Sequence, residues 1–338
     1  MLKNISLQKY NSFGIEVYAD WLAEIEDVEQ LLTILDDSPD MRKLILGGGS
    51  NVLFLNDFHG MILLNLIQGK EVISETDDKV LLKVKGGENW HDLVMWAVEH
   101  NYGGIENLAL IPGKAGTAPI QNIGAYGVEI KDVLQEVHAI DMTTGYPVKF
   151  SREDCRFGYR DSIFKKPENK GRYFISAIVL ELTKKNHRLR TGYGVIQDIL
   201  KTKKICSPTI KDVAEAIIEI RRSKLPDPKE IGNAGSFFKN PFIDKTLLDK
   251  LLKQYPEMPY YKTGKENIYK VPAGWLIEQA GFKGKRFGNA GVHDKQALVL
   301  VNYGGATGQE IKKLAEIIID EVEKKFFITL QPEVNFIE

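Results

Sequence analysis

The sequence predicts a mixed α and β enzyme of about three lobes. Three observations carry this expectation. The chain has 338 residues, beyond the length at which one hydrophobic core stops growing. Strand-like apolar runs are interspersed with amphipathic helical stretches. More than one irregular, glycine-rich loop interrupts them, and long loops inside a globular chain are usually functional.

The elements follow in order. Val28, Leu31, Leu32 and Leu35 share one helical face within 27–35, and Asp36, Asp37 and Pro39 stop it. A short strand over 43–46 runs into Gly47, Gly48, Gly49, Ser50 and Asn51, then an apolar run over 52–55. Residues 61–66 and 80–84 read as strands. Asn89 opens a helix through Trp90, Leu93 and Ala97 that ends near Asn101, with Gly103 and Gly104 behind it. Strands return over 136–141 and 173–182. Thr209 starts a helix carrying Val213, Ile217 and Ile220, and Leu225-Pro-Asp-Pro ends it at the best internal boundary. Beyond lie a leucine-rich helix near 247–252, a helix from Pro272 closed by Gly281, and a strand over 297–301. Thr307 and Glu310 then cap a helix carrying Ile311, Leu314, Ala315, Ile318 and Val322.

Composition excludes several classes of function. Forty-five Lys and Arg against 46 Asp and Glu leave a net charge of -1, so no overall field favours nucleic acid or a membrane. The two cysteines, Cys155 and Cys206, have no CxxC spacing, which argues against a disulfide framework or a thiolate metal site and for a reducing compartment. The start, MLKNISLQKYNSFG, lacks a continuous apolar segment, so a cytoplasmic protein is expected. Val52 stands where GxGxxG needs a small residue, and Gly113-Lys114 lacks the rest of a P-loop. His59, His91, His100, His138, His187 and His293 have no metal-ligand spacing and read as surface or satisfied histidines; no metal is expected. No GxSxG elbow is present.

Two glycine-rich loops remain. One is Gly47, Gly48, Gly49, Ser50 and Asn51; the other spans Pro112, Gly116, Thr117, Ala118, Pro119, Gln121, Asn122, Gly124, Ala125, Tyr126 and Gly127. Each can present backbone N–H groups to an anion without a lysine cradle, and a diphosphate spanning both is the natural ligand.

GGGSN at 47–51, PIQNIGAYGVE at 119–129, FGYRDSIFK at 157–165, KLPDPKEIGNAGSFFKNP at 224–241, AGWLIEQAG at 273–281 and LQPEVNFI at 330–337 recur together and in order. With them the chain resembles the UDP-N-acetylenolpyruvoylglucosamine reductase family, flavoenzymes of bacterial peptidoglycan (cell-wall) precursor synthesis. The resemblance implies an α+β chain with the vanillyl-alcohol-oxidase/PCMH-type FAD-binding fold. Residues 1–66, joined by the tail 326–338, would form one FAD-binding subdomain, 67–208 the second, and 209–325 a third, α+β domain for the UDP-sugar. It implies that NADPH reduces FAD, which then reduces the enolpyruvyl group of UDP-N-acetylglucosamine enolpyruvate to give UDP-N-acetylmuramate.

The same resemblance assigns residue roles. Arg160 matches the catalytic arginine, Ser236 the proton donor and Glu333 the carboxylate that completes the site. Tyr159, Tyr193, Lys224, Asn240, Tyr261, Lys283 and Gln296 match substrate contacts, and the two glycine-rich loops match the FAD site. Tyr193, in TGYG, lies in a segment of the family's longer subtype. By residue type alone, Arg160 reads as a surface ion pair with Asp161, Ser236 as a helix cap or turn residue, and Glu333 as a solvated residue near the C-terminus. Ser50 stands where relatives in the wider fold that attach FAD covalently carry histidine, so the FAD is expected to be non-covalent. A monomer is expected. Another FAD-dependent oxidase or dehydrogenase of the same fold, acting on a hydroxy acid or alcohol, and a non-catalytic nucleotide-sugar-binding protein remain as alternatives.

Overall fold

The computed structural model describes residues 1–338. The chain forms two compact units: Met1–Ile5, Ala19–Gly48 and His59–Ser223 in the first, and Ser6–Tyr18, Gly49–Phe58 and Lys224–Glu338 in the second. The division after Ser223 falls beside Leu225-Pro-Asp-Pro, where proline chemistry predicts a boundary.

The first unit is built on two sheets. One carries the strands Leu2–Ser6, Tyr18–Ile25, Phe58–Asn65 and Lys43–Leu46 in that order. Lys43–Leu46 and Phe58–Asn65 run parallel, and the latter is buried along almost its whole length, as a strand covered on both faces must be. The helix Val28–Asp37 covers it: Asp27 caps its start by accepting from the Gln30 N–H at 2.8 Å, and Leu31 is buried with Ala23, Ile25, Leu63, Ile140 and Phe174.

The second sheet is antiparallel, in the order Pro147–Ser151, Leu134–Asp141, Tyr173–Thr183, Lys79–Lys85 and Lys70–Glu75. In Lys79–Lys85 the residues Val80, Leu82 and Val84 point into the core and the lysines do not, the period-2 pattern of a half-buried strand. The helices Trp90–Glu99 and Ile210–Lys224 bury Leu93, Val94 and Ala97, and Val213, Ile217 and Ile220, in the same core. Burial there pushes the Cys155 thiol up to about 12, which makes it an inert core residue.

In the second unit, Gly232–Ser236, Val299–Asn302, Ala290–Val292 and Arg286–Phe287 form a four-stranded sheet. Phe242–Asp244, Ile268–Lys270 and Tyr261–Lys262 form a smaller one beside the helix Lys245–Gln254. Val52–Phe54 pairs in parallel with Asn335–Ile337 near the C-terminus. The helix Gly308–Phe326 opens on the predicted capping box, with the Glu310 N–H donating to Thr307 Oγ1 at 3.2 Å and the Thr307 N–H donating to Glu310 Oε2 at 2.7 Å. No helix is long and apolar enough to cross a membrane.

The predicted helices and strands are present, with ends displaced by a residue or a few. Not predicted are the strands Leu2–Ser6, Tyr18–Ile25, Lys70–Glu75 and Pro147–Ser151, most of the short strands of the second unit, and the helix Gly194–Thr202. Lys70–Glu75 is exposed throughout, so no apolar alternation marks it.

Gly308 sits where the last helix begins against the Val52–Phe54 strand; a Cβ there would stand 1.8 Å from the Phe54 carbonyl oxygen. Gly308→Ala is expected to destabilise the chain by about 1–3 kcal/mol, the range for overpacking. Urea unfolding checks this: the midpoint falls with the slope unchanged.

Candidate active site

In the first unit, Gly47 and Gly48 of the first glycine-rich loop meet the second loop. A Cβ on Gly47 would lie 2.5 Å from Thr117 Cγ2, and one on Gly48 would lie 2.9 Å from Gly113 Cα. At Gly48 the contact is backbone against backbone, which only glycine permits. Behind it, Cβ atoms on Gly86 and Gly116 would stand 2.2 and 2.8 Å from the Ile175 carbonyl oxygen on the central strand. The amides of Gly47, Gly48 and Gly113 donate no backbone hydrogen bond within the chain. Donors left over at a close approach without side chains suit an anion such as a diphosphate, so these residues fit FAD.

The second loop is docked on the start of the helix Trp90–Glu99. Trp90 N–H donates to Gly113 O at 3.1 Å, the Trp90 indole donates to Leu108 O at 3.1 Å, and Ala115 N–H donates to Glu88 O at 2.9 Å. Further along, Asn122 is fully buried with φ +45°. It donates to Glu129 Oε2 at 3.0 Å and Gly158 O at 2.9 Å and accepts from Lys131 N–H at 3.3 Å. Asn122 therefore ties PIQNIGAYG to the FGYRDS turn.

That turn carries Arg160. Its backbone is left-handed, φ +52°, between a Gly158 N–H donating to Asp161 O at 2.9 Å and the reverse bond at 3.3 Å. The guanidinium reaches back to the loop, Nη2 donating to Gly124 O at 2.6 Å and Nη1 to Asn122 O at 3.5 Å, with the Tyr159 ring 5.5 Å away. Asp161 takes Lys166 at 2.7 Å. Tyr193 packs edge-on against Tyr126, ring centroids 5.9 Å apart, and its ring would lie 3.2 Å from a Cβ on Gly127. Asn107 holds both segments, donating to Tyr126 O at 3.1 Å and Arg190 O at 2.8 Å.

In the second unit, Ser236 ends a strand, so the helix-cap or turn reading of its type is corrected. The ladder to Val299–Asn302 slips between Asn233 and Ser236, an irregularity that re-aims a strand end. Gly235, φ +67°, occupies the slip and donates to Asn233 Oδ1 at 2.9 Å. Asn233 is buried and also donates to Pro226 O at 3.2 Å and Ile231 O at 2.8 Å, which fastens LPDP to GNAGS.

Phe237, next to Ser236, donates to Leu298 O and accepts from the Glu333 N–H, both at 2.8 Å. Glu333 is half-buried, not a solvated tail residue. Its carbonyl accepts from Asn51 Nδ2 at 3.3 Å, and Asn51 O accepts from the Asn335 N–H at 3.1 Å. Ser236, Glu333 and Asn51 are thus brought together by one run of backbone bonds. The amides of Gly49 and Ser50 donate no backbone bond.

The expected substrate contacts are spread more widely. Asn240 Oδ1 accepts from the Ala273 N–H at 2.9 Å, and Gln296 Oε1 lies 3.0 Å from where a Cβ on Gly274 would be, so both serve the start of the helix Ala273–Gln279. Lys283 pairs with Glu278 at 2.9 Å. Tyr261 is exposed in the small sheet with Lys270 over its ring, and Lys224 is exposed at the end of its helix. Asn107 and Asn233 were missed by sequence reasoning; Asn233 lies within the 224–241 motif, whereas Asn107 precedes the second glycine-rich loop and carries no signal of its own.

The comparisons agree with this geometry. The family model "UDP-N-acetylenolpyruvoylglucosamine reductase, C-terminal domain" matches residues 227–337, and "FAD binding domain" matches 19–151. Proteins named UDP-N-acetylenolpyruvoylglucosamine reductase match from Flavobacterium johnsoniae, 50% identical and covering 99% of this chain and 98% of that one, and from Pseudomonas aeruginosa, 44% identical over 98% of each. The crystal structure of the Thermus caldophilus UDP-N-acetylenolpyruvylglucosamine reductase, 22% identical, shares the fold with a TM-score of 0.66, covering 100% of this chain and 99% of that one. With loops that fit FAD and half its sequence in common with such a relative, the chain belongs to the UDP-N-acetylenolpyruvoylglucosamine reductase family of FAD-dependent oxidoreductases.

Proposed function

We propose that this enzyme uses NADPH to reduce UDP-N-acetylglucosamine enolpyruvate to UDP-N-acetylmuramate, with Arg160, Ser236 and Glu333 carrying the chemistry. The observation that carries this reading is Arg160: a permanent cation on a left-handed turn, hydrogen-bonded to the Gly124 carbonyl of the second glycine-rich loop. When bound, FAD would supply the redox chemistry that couples NADPH oxidation to hydride addition at the methylene carbon of the enolpyruvyl group. Gly47, Gly48, Gly49, Ser50, Asn51 and the loop from Pro112 to Gly127 would hold it without a covalent bond.

As hydride reaches the methylene carbon, the electron pair of the double bond moves onto the adjacent carbon and its carboxylate. The Arg160 guanidinium stabilises that charge with paired, planar donors. The Ser236 hydroxyl then gives its proton to the carbon. A serine is a weak acid, so its position matters more than its pKa; the bulge at Gly235 and the clasp on Phe237 support that position. Glu333, held opposite Phe237, orients the reacting groups. Lys224 and Lys283 carry charge suited to the diphosphate, and Tyr159, Tyr193, Asn240, Tyr261 and Gln296 line the sugar nucleotide's path. The division into subdomains 1–66 with the tail, 67–208, and 209–325 goes with this reading.

NADPH oxidation is expected to require UDP-N-acetylglucosamine enolpyruvate, and a spectrophotometric assay without substrate-dependent turnover would overturn the reading. Ser236→Ala is expected to leave reduction of the flavin by NADPH nearly intact and to slow oxidation by the enolpyruvyl substrate about 10²- to 10⁴-fold in stopped flow. Equal losses in both half-reactions would point instead to a fault in FAD binding. Acid precipitation is expected to leave the flavin in the supernatant; flavin that stays with the polypeptide would contradict non-covalent binding.

A further inference from the structure

Leu110 opens the second glycine-rich loop in a left-handed conformation, φ +59°, that a leucine rarely adopts. It is held there from two sides. Its N–H donates to His91 Nδ1 at 3.1 Å, and its carbonyl accepts from Arg221 Nε at 3.2 Å. His91 lies in the first turn of the helix Trp90–Glu99 and Arg221 near the end of Ile210–Lys224, so two helices hold the two backbone groups of one residue. Three residues on, Gly113 makes the backbone approach to Gly48. A shift at Leu110 is therefore transmitted to the surface that fits the diphosphate.

We propose that His91 and Arg221 are positioning residues for FAD, and that His91 fills this role only as the neutral imidazole. The proposal rests on the reading of the second loop as an FAD contact. Nδ1 can accept the Leu110 N–H only while it carries no proton; the imidazolium has two donors and no acceptor. The surroundings favour the neutral form. Burial pushes the His91 pKa below the usual histidine value, the neighbouring Asp92 opposes this, and Arg222 and Arg221 reinforce it. Arg221 is itself discouraged from charge by burial and by Arg160, and favoured by Tyr126.

The sign follows from the direction of the shift. A histidine whose pKa is lowered in the folded state contributes fully above the ordinary value of about 6.5, and the contribution is lost as pH falls through the lowered value. FAD affinity should therefore fall as the pH drops through the lowered His91 value, through loss of one hydrogen bond to the loop.

FAD dissociation constants, read from flavin fluorescence between about pH 5 and 8, test this on the wild type, His91→Ala, His91→Asn and Gly113→Ala. Asparagine can place an oxygen near the Nδ1 position and does not titrate. His91→Ala is expected to weaken FAD about five- to tenfold at pH 8, the effect of one neutral hydrogen bond. His91→Asn should restore most of that affinity and flatten the acid loss that the wild type undergoes. Gly113→Ala, which alters the loop itself at φ +119°, should weaken FAD at every pH. If Gly113→Ala weakens FAD and His91→Ala does not, or if His91→Asn keeps the wild-type acid loss, the clamp is wrong. If Gly113→Ala leaves FAD untouched, the reading of the loop fails and the proposal with it.

Discussion

The close approach of Gly48 to Gly113 is the constraint on which the first unit depends. Two chain segments about 65 positions apart in sequence can touch backbone to backbone only if neither carries a side chain there. The Lys43–Leu46 strand must end at that point, and the helix Trp90–Glu99 must begin where its first residues can hold the opposing loop. Gly86 and Gly116 extend the requirement to the central strand, since each lies against the Ile175 carbonyl. What remains on the surface of the contact is peptide N–H groups, the donors that an anionic cofactor needs and that a side-chain-lined cleft would cover.

The second unit meets a different requirement: how to fix the position of Ser236, the proton donor of the proposed chemistry. The Ser236 hydroxyl is exposed, with no side chain bonded to it to tune its acidity, so its usefulness rests on where the backbone puts it. The strand slips at Gly235, Asn233 closes the slip, and Phe237 is held on one side by Leu298 and on the other by Glu333. The buried Phe237 ring packs against Phe13, Phe238 and Phe336, so core packing and the backbone clasp act on the same residue. Recognition of an anionic substrate in a chain of net charge -1 must come from such placed groups and not from an overall field.

Much of this was legible in the sequence because it depends on local chemistry. The helix-opening residues Asn89 and Thr307, the stop at Leu225-Pro-Asp-Pro and the two glycine-rich loops are written in residue types that few conformations tolerate. What was not legible depends on partners remote in sequence. Lys70–Glu75 is a strand only because Lys79–Lys85 offers it a ladder; its own residues show no alternation. His91 reads as a satisfied histidine, which it is, but its partner lies 19 residues on and could not be named. Ser236 and Glu333 read by type as a cap and a tail residue; a shared ladder through Phe237, set by pairing across about 95 residues, makes them neighbours.

The choice of asparagine at the buried junctions follows from the same electrostatics. Asn122 joins the second loop to the Arg160 turn through two donors and one acceptor, all used. An aspartate there would fit the space but lose both donors, take from the Gly158 carbonyl one of the two hydrogen bonds it accepts, and set a second carboxylate about 3 Å from that of Glu129. It would also place an acid beside the Asn122 carbonyl to which Arg160 donates, drawing on a cation that the proposed chemistry needs for the substrate. Asn233 does the same neutral work beside Ser236, and Asn107 beside Tyr126. Turns that position charge are themselves held by groups without charge, so the fold can be rigid at these points without adding to the field that the reaction feels.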